Sequence, residues 1–319
     1  MKKDQQSVNK IFQPASLWQS QIDISYSYLN EGLKKNNINK FHYFLANFGS
    51  WHKYTGVTHS TFIRKYSKNI IGRRYLQNRF YNNLLVWEWF NERKNINNLS
   101  YPQHGNQSGA FINGNFVGLG SFFNEIYGTL LSELIVDKKL PILAEIGGGC
   151  GIWSHFILRN LDKFCYLDFD LPETLCLAAY YLMKTYPEKK VLLYGEIEYS
   201  PDCHKNYDLI FLPNFEIEKI FKINVDLFLN KNSLGEMHKD VVKKYLYVIT
   251  NCAKYFFHMN HEKWVHTYED GSKGVLAPDY DIPKEKYKLV MRYPDLAHLT
   301  YDGGINYNHD IFYYLYEKY

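Results

Sequence analysis

From Pro141 onward the chain alternates short apolar runs with longer amphipathic segments. That alternation restricts the fold more than any other property of the sequence. The runs are PILAEIG, KFCYLDFD, KVLLYGE, YDLIFLP, NVDLFLN, KYFFHMN, YKLVMRYP and DIFYYLYEKY. Between several of them lie helical patterns, IWSHFILRNL, PETLCLAAYYLMKTY and EMHKDVVKKYLYVITNCA. Near-continuous apolar strands separated by helices are the signature of βαβ units and a parallel sheet. Only DLAHLTYDGGINYNH separates the last two runs, so they are expected to pair as an antiparallel hairpin at the sheet's edge.

The first hundred residues carry helical signals instead. Tyr75, Phe80, Leu84 and Trp87, with Leu85 and Trp89 nearby, recur at helical spacing and predict one buried stripe. The Asn- and Gly-rich stretch NERKNINNLSYPQHGNQSGAFINGN reads as loop, and Ser121 as the cap of a following helix.

Composition fits a large folded chain: 319 residues, 46% apolar, 22% charged. A net charge of +4 with no basic block argues against a nucleic-acid partner, since binding a phosphate backbone needs a concentrated positive face. No apolar window is long enough for a membrane span, and the amino end MKKDQQSVNK carries no signal-like apolar stretch. The expectation is a cytoplasmic protein. Five scattered cysteines without a C-x-x-C pair predict reduced, structural thiols.

The strongest local motif is Glu145-Ile146-Gly147-Gly148-Gly149-Cys150-Gly151, at the end of the first of these strands. A glycine-rich strand-to-helix turn lets backbone approach a ligand and offers helix amino-terminal N–H groups. A dinucleotide fingerprint needs a third glycine where Ile152 stands, and a P-loop needs a following Gly-Lys-Ser/Thr. Both fail. A turn that serves strand–helix packing alone is the plain alternative.

The pattern acid-x-G-x-G-x-G resembles motif I of class I S-adenosylmethionine-dependent methyltransferases. The resemblance implies that Gly147, Gly148, Gly149 and Gly151 admit S-adenosyl-L-methionine and that Glu145 faces its cationic end. It also implies an acid at the end of the next strand for the ribose diol. Asp170 is preferred, with Leu171 beside it, because it precedes Leu-Pro; Asp168 competes. The segments EIGGGCG, DFDLPETLCLAAYYL, VDLFLNKNSLGEM and YYLYEK together resemble a bacterial family of sugar O-methyltransferases, over roughly the carboxyl-terminal 180 residues. Cys150 and Ile152 depart from its pattern, where an aromatic and a small residue are common.

The fold class implied is α/β: a Rossmann-like class I methyltransferase sheet with a terminal antiparallel hairpin, preceded by an α-helical N-terminal region. The boundary expected is a helical region 1–120, serving as substrate cap or as contact in a homo-oligomer, and a cofactor-binding domain 121–319. The partner implied is a small-molecule, carbohydrate-derived acceptor. The alternatives are a nicotinamide-dependent oxidoreductase or epimerase, and a non-catalytic cofactor-binding protein of the same fold.

Ligands of open α/β sheets lie beyond the strands' carboxyl ends. This nominates Asn230 for the cofactor and Glu236 or His238 for the base that takes the acceptor's hydroxyl proton. Ser233 and Glu236 also spell a capping box, and His238 a solvated helix position. His258, ending a strand, is a third candidate base. His258, His261 and His266 with Glu262 and Asp270 invite a metal, but the spacing is not a recurrent ligand pattern, and no metal is assigned.

Residues 267–286 read as a lid or a surface loop; His104, Asn106 and Gln107 read as polar contacts from the loop before motif I. Adenine contacts are expected from Gly195-Glu196 or from Pro213-Asn214. The chain carries 29 Tyr, 21 Phe and 6 Trp. Of these, Tyr268, Tyr280, Tyr301 and Tyr307 fall in loops where flat rings with a hydroxyl would suit a sugar.

Overall fold

The computed structural model describes residues 1–90, 95–268, 271–300 and 305–319. Six helices come first: α1 Lys2–Ser7, α2 Ser16–Ser25, α3 Ser27–Lys34, α4 Ile38–Asn47, α5 Ser60–Tyr66 and α6 Ile70–Phe90. The α6 stripe is narrower than its spacing predicts. Trp87 is buried, but Leu85 and Trp89 point outward because a straight helix turns them off the packed face.

The stretch expected to be loop contains a hairpin, β1 Gly109–Ile112 and β2 Asn115–Gly118. Its turn is Asn113-Gly114, both in the left-handed region, a pairing that short hairpins favour. Helix α7, Ser121–Glu133, follows; Ser121 is its first residue rather than its cap, and its hydroxyl accepts from the Gly118 N–H.

The remaining chain forms one eight-stranded sheet: β3 Ile142–Ile146, β4 Cys165–Asp170, β5 Val191–Leu193, β6 Leu209–Pro213, β7 Val225–Lys231, β8 Ala253–His261, β9 Tyr287–Pro294 and β10 Ile311–Lys318. Its helices are α8 Ile152–Leu158, α9 Pro172–Thr185, α10 Cys203–Asn206, α11 Lys239–Cys252 and α12 Leu296–Leu299. The spatial order is β5-β6-β4-β3-β7-β8-β10-β9. Pairings from β5 to β8 are parallel, and β10 runs antiparallel to both β8 and β9. All eight predicted strands are present, and the terminal hairpin lies at the edge. This is the Rossmann-like fold class that the sequence implies.

Alternation along the strands feeds two cores. Leu143, Tyr166, Leu227 and Phe257 join α7, α8 and α9 on one face. Ala144, Leu167, Phe228 and Phe256 join α11 on the other. The chain leaves β3 for β4 on one side and enters β7 on the other, so the topological switch point falls between β3 and β7, where such sheets open a crevice. Among the described residues no helix is long and apolar enough to cross a membrane.

Candidate functional site

At that switch point a cavity of about 940 Å³ is lined by the β3–α8 loop, the end of β4, the segment after β7 and parts of the N-terminal helical region. Gly147, Gly149 and Gly151 all have positive φ, which is why the loop is glycine. A Cβ on Gly147 would stand 2.4 Å from Ser233 Oγ. Gly147, Gly148 and Gly149 line the cavity. Gly151 does not. It caps α8, and a Cβ there would press on Leu182 at 3.0 Å, so its role is to seat α8 against α9.

The two aspartates of β4 separate cleanly. Asp168 is 0% exposed and accepts from Gly148 N at 3.3 Å beneath the loop; burial, then Asp170 and Glu145, push its pKa well up. Asp170 lines the cavity. Its two oxygens accept from Gly149 N at 3.0 Å and Leu171 N at 2.6 Å. Burial raises its pKa to about 6, against the lowering effect of its hydrogen bonds, so it is charged at neutral pH. Leu171 lies beside it in the cavity wall.

Glu145 lines the same cavity but is held from behind. Its Oε2 accepts from Ser154 Oγ at 2.5 Å and from Tyr166 OH at 2.6 Å, and burial raises its pKa to about 6.

Two expected positions are corrected. The Asn230 amide is buried and fully used inside the fold: Nδ2 donates to Ile146 O and Ser233 Oγ, and Oδ1 accepts from Leu234 N and Asn260 Nδ2. It shapes the loop and does not line the cavity. His258 is 0% exposed and faces the α11 core, stacked on Tyr314 at 4.7 Å and packed on Tyr280 at 5.0 Å. Strand alternation gives the cavity its neighbour Met259 instead.

Glu236 and His238 both line the cavity. No capping box forms, because the Ser233 hydroxyl bonds to Ile146 O. Glu236 instead accepts from the indole N–H of Trp18 at 2.7 Å, and burial raises its pKa. His238 caps α11, its Nδ1 accepting from Asp240 N at 3.3 Å.

Of the looser expectations, Gln107 lines the cavity and His104 and Asn106 do not. Asn214 does and Gly195-Glu196 do not, because β6 lies between β4 and β5 and leaves β5 at the sheet edge. Tyr268 lines the cavity, Tyr280 is buried with His258, and Tyr307 is exposed away from it. Tyr301 and Asp270 lie outside the described residues. His261 pairs with Asp310 at 2.6 Å, and among the described residues no group of three His, Cys, Asp or Glu side chains is placed to hold a metal.

Sequence reasoning missed several cavity residues. Trp18, Val57 and His59 come from the N-terminal helical region; Asn124, Lys231, Asp295 and His298 come from elsewhere. The Lys231 ammonium donates to Asn124 Oδ1 at 3.1 Å and lies 5.3 Å over the Trp153 ring, and burial lowers its pKa. His59 is exposed to the cavity, and the surrounding protein, then Lys231, Arg79 and His298, lower its pKa.

No protein-family model matches the chain, and no curated protein matches it in sequence. Among solved structures, it is similar to the N-methyltransferase NodS from Bradyrhizobium japonicum WM9 in complex with S-adenosyl-l-homocysteine: 12% identity over 61% of this chain and 87% of that one, TM-score 0.39. A TehB-like SAM-dependent methyltransferase from Corynebacterium glutamicum aligns at 12% identity over 59% of this chain and 86% of the other, TM-score 0.38. The mitomycin 7-O-methyltransferase MmcR aligns at 13% identity over 63% of this chain, which spans 57% of MmcR's length, TM-score 0.37. These superpositions are loose.

Proposed function

We propose that the protein is an S-adenosyl-L-methionine-dependent O-methyltransferase acting on a hydroxyl of a polar, carbohydrate-derived small molecule. The observation that carries this reading is the pairing of Asp170 with the glycine loop. A carboxylate, charged at neutral pH and held by Gly149 N and Leu171 N, opens onto the same cavity as the bare backbone of Gly147 to Gly149. Such a carboxylate is a hydrogen-bond acceptor for a ribose diol, and the close-packed loop leaves room only for glycine beside a ligand. Ile152 in place of a third fingerprint glycine disfavours a dinucleotide.

The cofactor would be held by Asp170 and Leu171 on its ribose side and by the Gly147–Gly149 backbone along its methionine part. Asn214 would meet the adenine, and Glu145, which lines the same cavity, would offer negative charge toward the cofactor's cationic end. When bound it supplies an electrophilic methyl group on a sulfonium sulfur. The protein's own work is to exclude water, align the acceptor and accept one proton. Trp18, bonded to Glu236, closes one wall. Trp153 and Phe123 offer flat apolar faces, and Asn124, Lys231 and Gln107 offer polar atoms, the mixture that suits a sugar ring.

Calorimetry with S-adenosylhomocysteine and with NAD tests the cofactor. Micromolar binding of the former and none of the latter is expected; the reverse result overturns the reading.

A further inference from the structure

The cavity contains a carboxylate–imidazole pair that belongs to none of the motifs. His298, on the short helix α12, places Nδ1 2.5 Å from Asp295 Oδ2. The same oxygen accepts from the His298 backbone N–H at 3.1 Å, and the other accepts from Tyr127 OH at 3.1 Å. Tyr127 OH in turn accepts from Leu296 N at 2.9 Å. Asp295 and Tyr127 are buried, so the carboxylate is fixed at both oxygens by the protein interior. The His298 side chain is 44% exposed, and the residue lines the cavity.

A carboxylate at Nδ1 requires the proton of the neutral ring to sit on that nitrogen. Nε2 then carries a lone pair, and among the described residues no hydrogen bond occupies it. His59, a further imidazole on the cavity, faces the charges of Lys231 and Arg79, and among the described residues no carboxylate is paired with it to balance an imidazolium. The two bases nominated from the sequence that reach the cavity are less free. The Glu236 carboxylate is bonded to Trp18, and the His238 Nδ1 lone pair is spent on the α11 cap. The pair lines the same cavity as the glycine loop and Lys231.

We propose that His298, oriented by Asp295, is the general base that takes the proton of the acceptor alcohol. The inference rests on the methyltransferase reading above. In the transfer the acceptor oxygen forms the new O–C bond, the electrons of the broken S–C bond stay on sulfur as a neutral thioether, and the hydroxyl proton passes to Nε2. The resulting imidazolium is balanced by Asp295 until the proton leaves to solvent. His298 is the catalytic residue here, and Asp295 is a positioning residue acting through it.

The test combines three readouts on the full chain. ¹⁵N NMR of the histidines, with the His298 signal assigned by its loss in H298N, is expected to show the neutral ring protonated on Nδ1. In D295N, where an amide nitrogen can face the ring, the proton is expected on Nε2. A wild-type ring protonated on Nε2 overturns the proposal, and this arm stands whether or not an acceptor is found.

S-adenosylhomocysteine calorimetry on H298N is expected to give the wild-type Kd, because His298 does not hold the cofactor. Methyl transfer is followed as S-adenosylhomocysteine release over a panel of free and UDP-linked sugars. There, H298N is expected to lower kcat about 10²- to 10⁴-fold with KM little changed. H298N turning over like wild type overturns the base while leaving the methyltransferase reading intact. Failure of wild type to bind S-adenosylhomocysteine overturns both.

Discussion

The two ends of the cavity are built in different ways. The end proposed to hold the cofactor comes from two neighbouring strand ends: the glycine loop after β3, and Asp170-Leu171 closing β4, joined by a hydrogen bond from the Gly149 N–H to the Asp170 carboxylate. The other end draws His59 from before α5, Asn124 from α7, Lys231 from the end of β7 and the Asp295–His298 pair from between β9 and β10. One end is fixed by local chain geometry, and the other exists only once distant elements have packed. Substitutions at the first end should therefore act on cofactor binding, and those at the second on turnover.

The sharpest test of that division is Asp170→Ala. Losing hydrogen bonds from a diol to a charged carboxylate costs about 3 kcal/mol, so S-adenosylhomocysteine affinity should fall roughly 100-fold or more in calorimetry. Asp168→Asn, beneath the loop, should cost far less affinity, since that side chain is buried and does not line the cavity. Equal losses in the two variants would erase the distinction between them.

That distinction also explains what could be read from the sequence. The glycine loop and Asp170 lie in two short contiguous stretches whose chemistry is carried by residue type and spacing alone. The central strands were legible because both faces of the sheet are covered there, which leaves near-continuous apolar runs; β9, at the edge, is mostly exposed and was legible from its apolar residues alone. His258 was misjudged because its place at a strand's end says nothing about which face it takes, and its face belongs to Tyr280 and Tyr314. Asn230 was misjudged because an amide's four hydrogen-bonding positions can all be filled internally, which only packing shows.

The dyad did leave a local trace. Asp295 caps α12 and His298 follows three residues on, a spacing that brings the two side chains together. The Asn113-Gly114 pair is likewise a trace of the β1–β2 hairpin, within a stretch whose Asn and Gly content reads as loop. Trp18 and His59 left no such trace, since nothing in a helical segment names the distant cavity it will line.

A second test contrasts two histidines. His258, buried without charged neighbours, has its pKa pushed down to about 3 by burial alone. The unfolded chain binds a proton there below the ordinary histidine value of about 6.5, and the folded chain does not until far lower pH. Stability from this group is therefore lost as pH falls below about 6.5, at about 1.4 kcal/mol per pH unit, or about 2 kcal/mol by pH 5. His258→Phe, among the aromatic rings that already surround it, should flatten that acid loss in denaturant titrations and leave methyl transfer untouched. A loss of turnover comparable with that of His298→Asn would return His258 to the chemistry.

An effect no larger is expected at Glu145, where the sign runs the other way. Burial raises its carboxyl to about 6, against the lowering effect of Ser154 and Tyr166. Between the ordinary glutamate value and that pH the folded chain holds a proton that the unfolded chain has lost. Stability therefore falls as pH rises through this window, and the charged form is carried at a cost at neutral pH.

Glu145→Gln keeps a carbonyl to accept from both hydroxyls and removes the buried charge. The variant should be more stable than wild type by about 2 kcal/mol at pH 7.5, with the advantage vanishing near pH 4.5. If Glu145 balances the cofactor's positive end, S-adenosylmethionine should narrow the gap at pH 7.5 in thermal melts more than S-adenosylhomocysteine does, because only the sulfonium carries the charge. Equal narrowing by the two nucleosides would make Glu145 a strut for α8 and Tyr166, and would leave Asp170 as the carboxylate at this end that meets the cofactor.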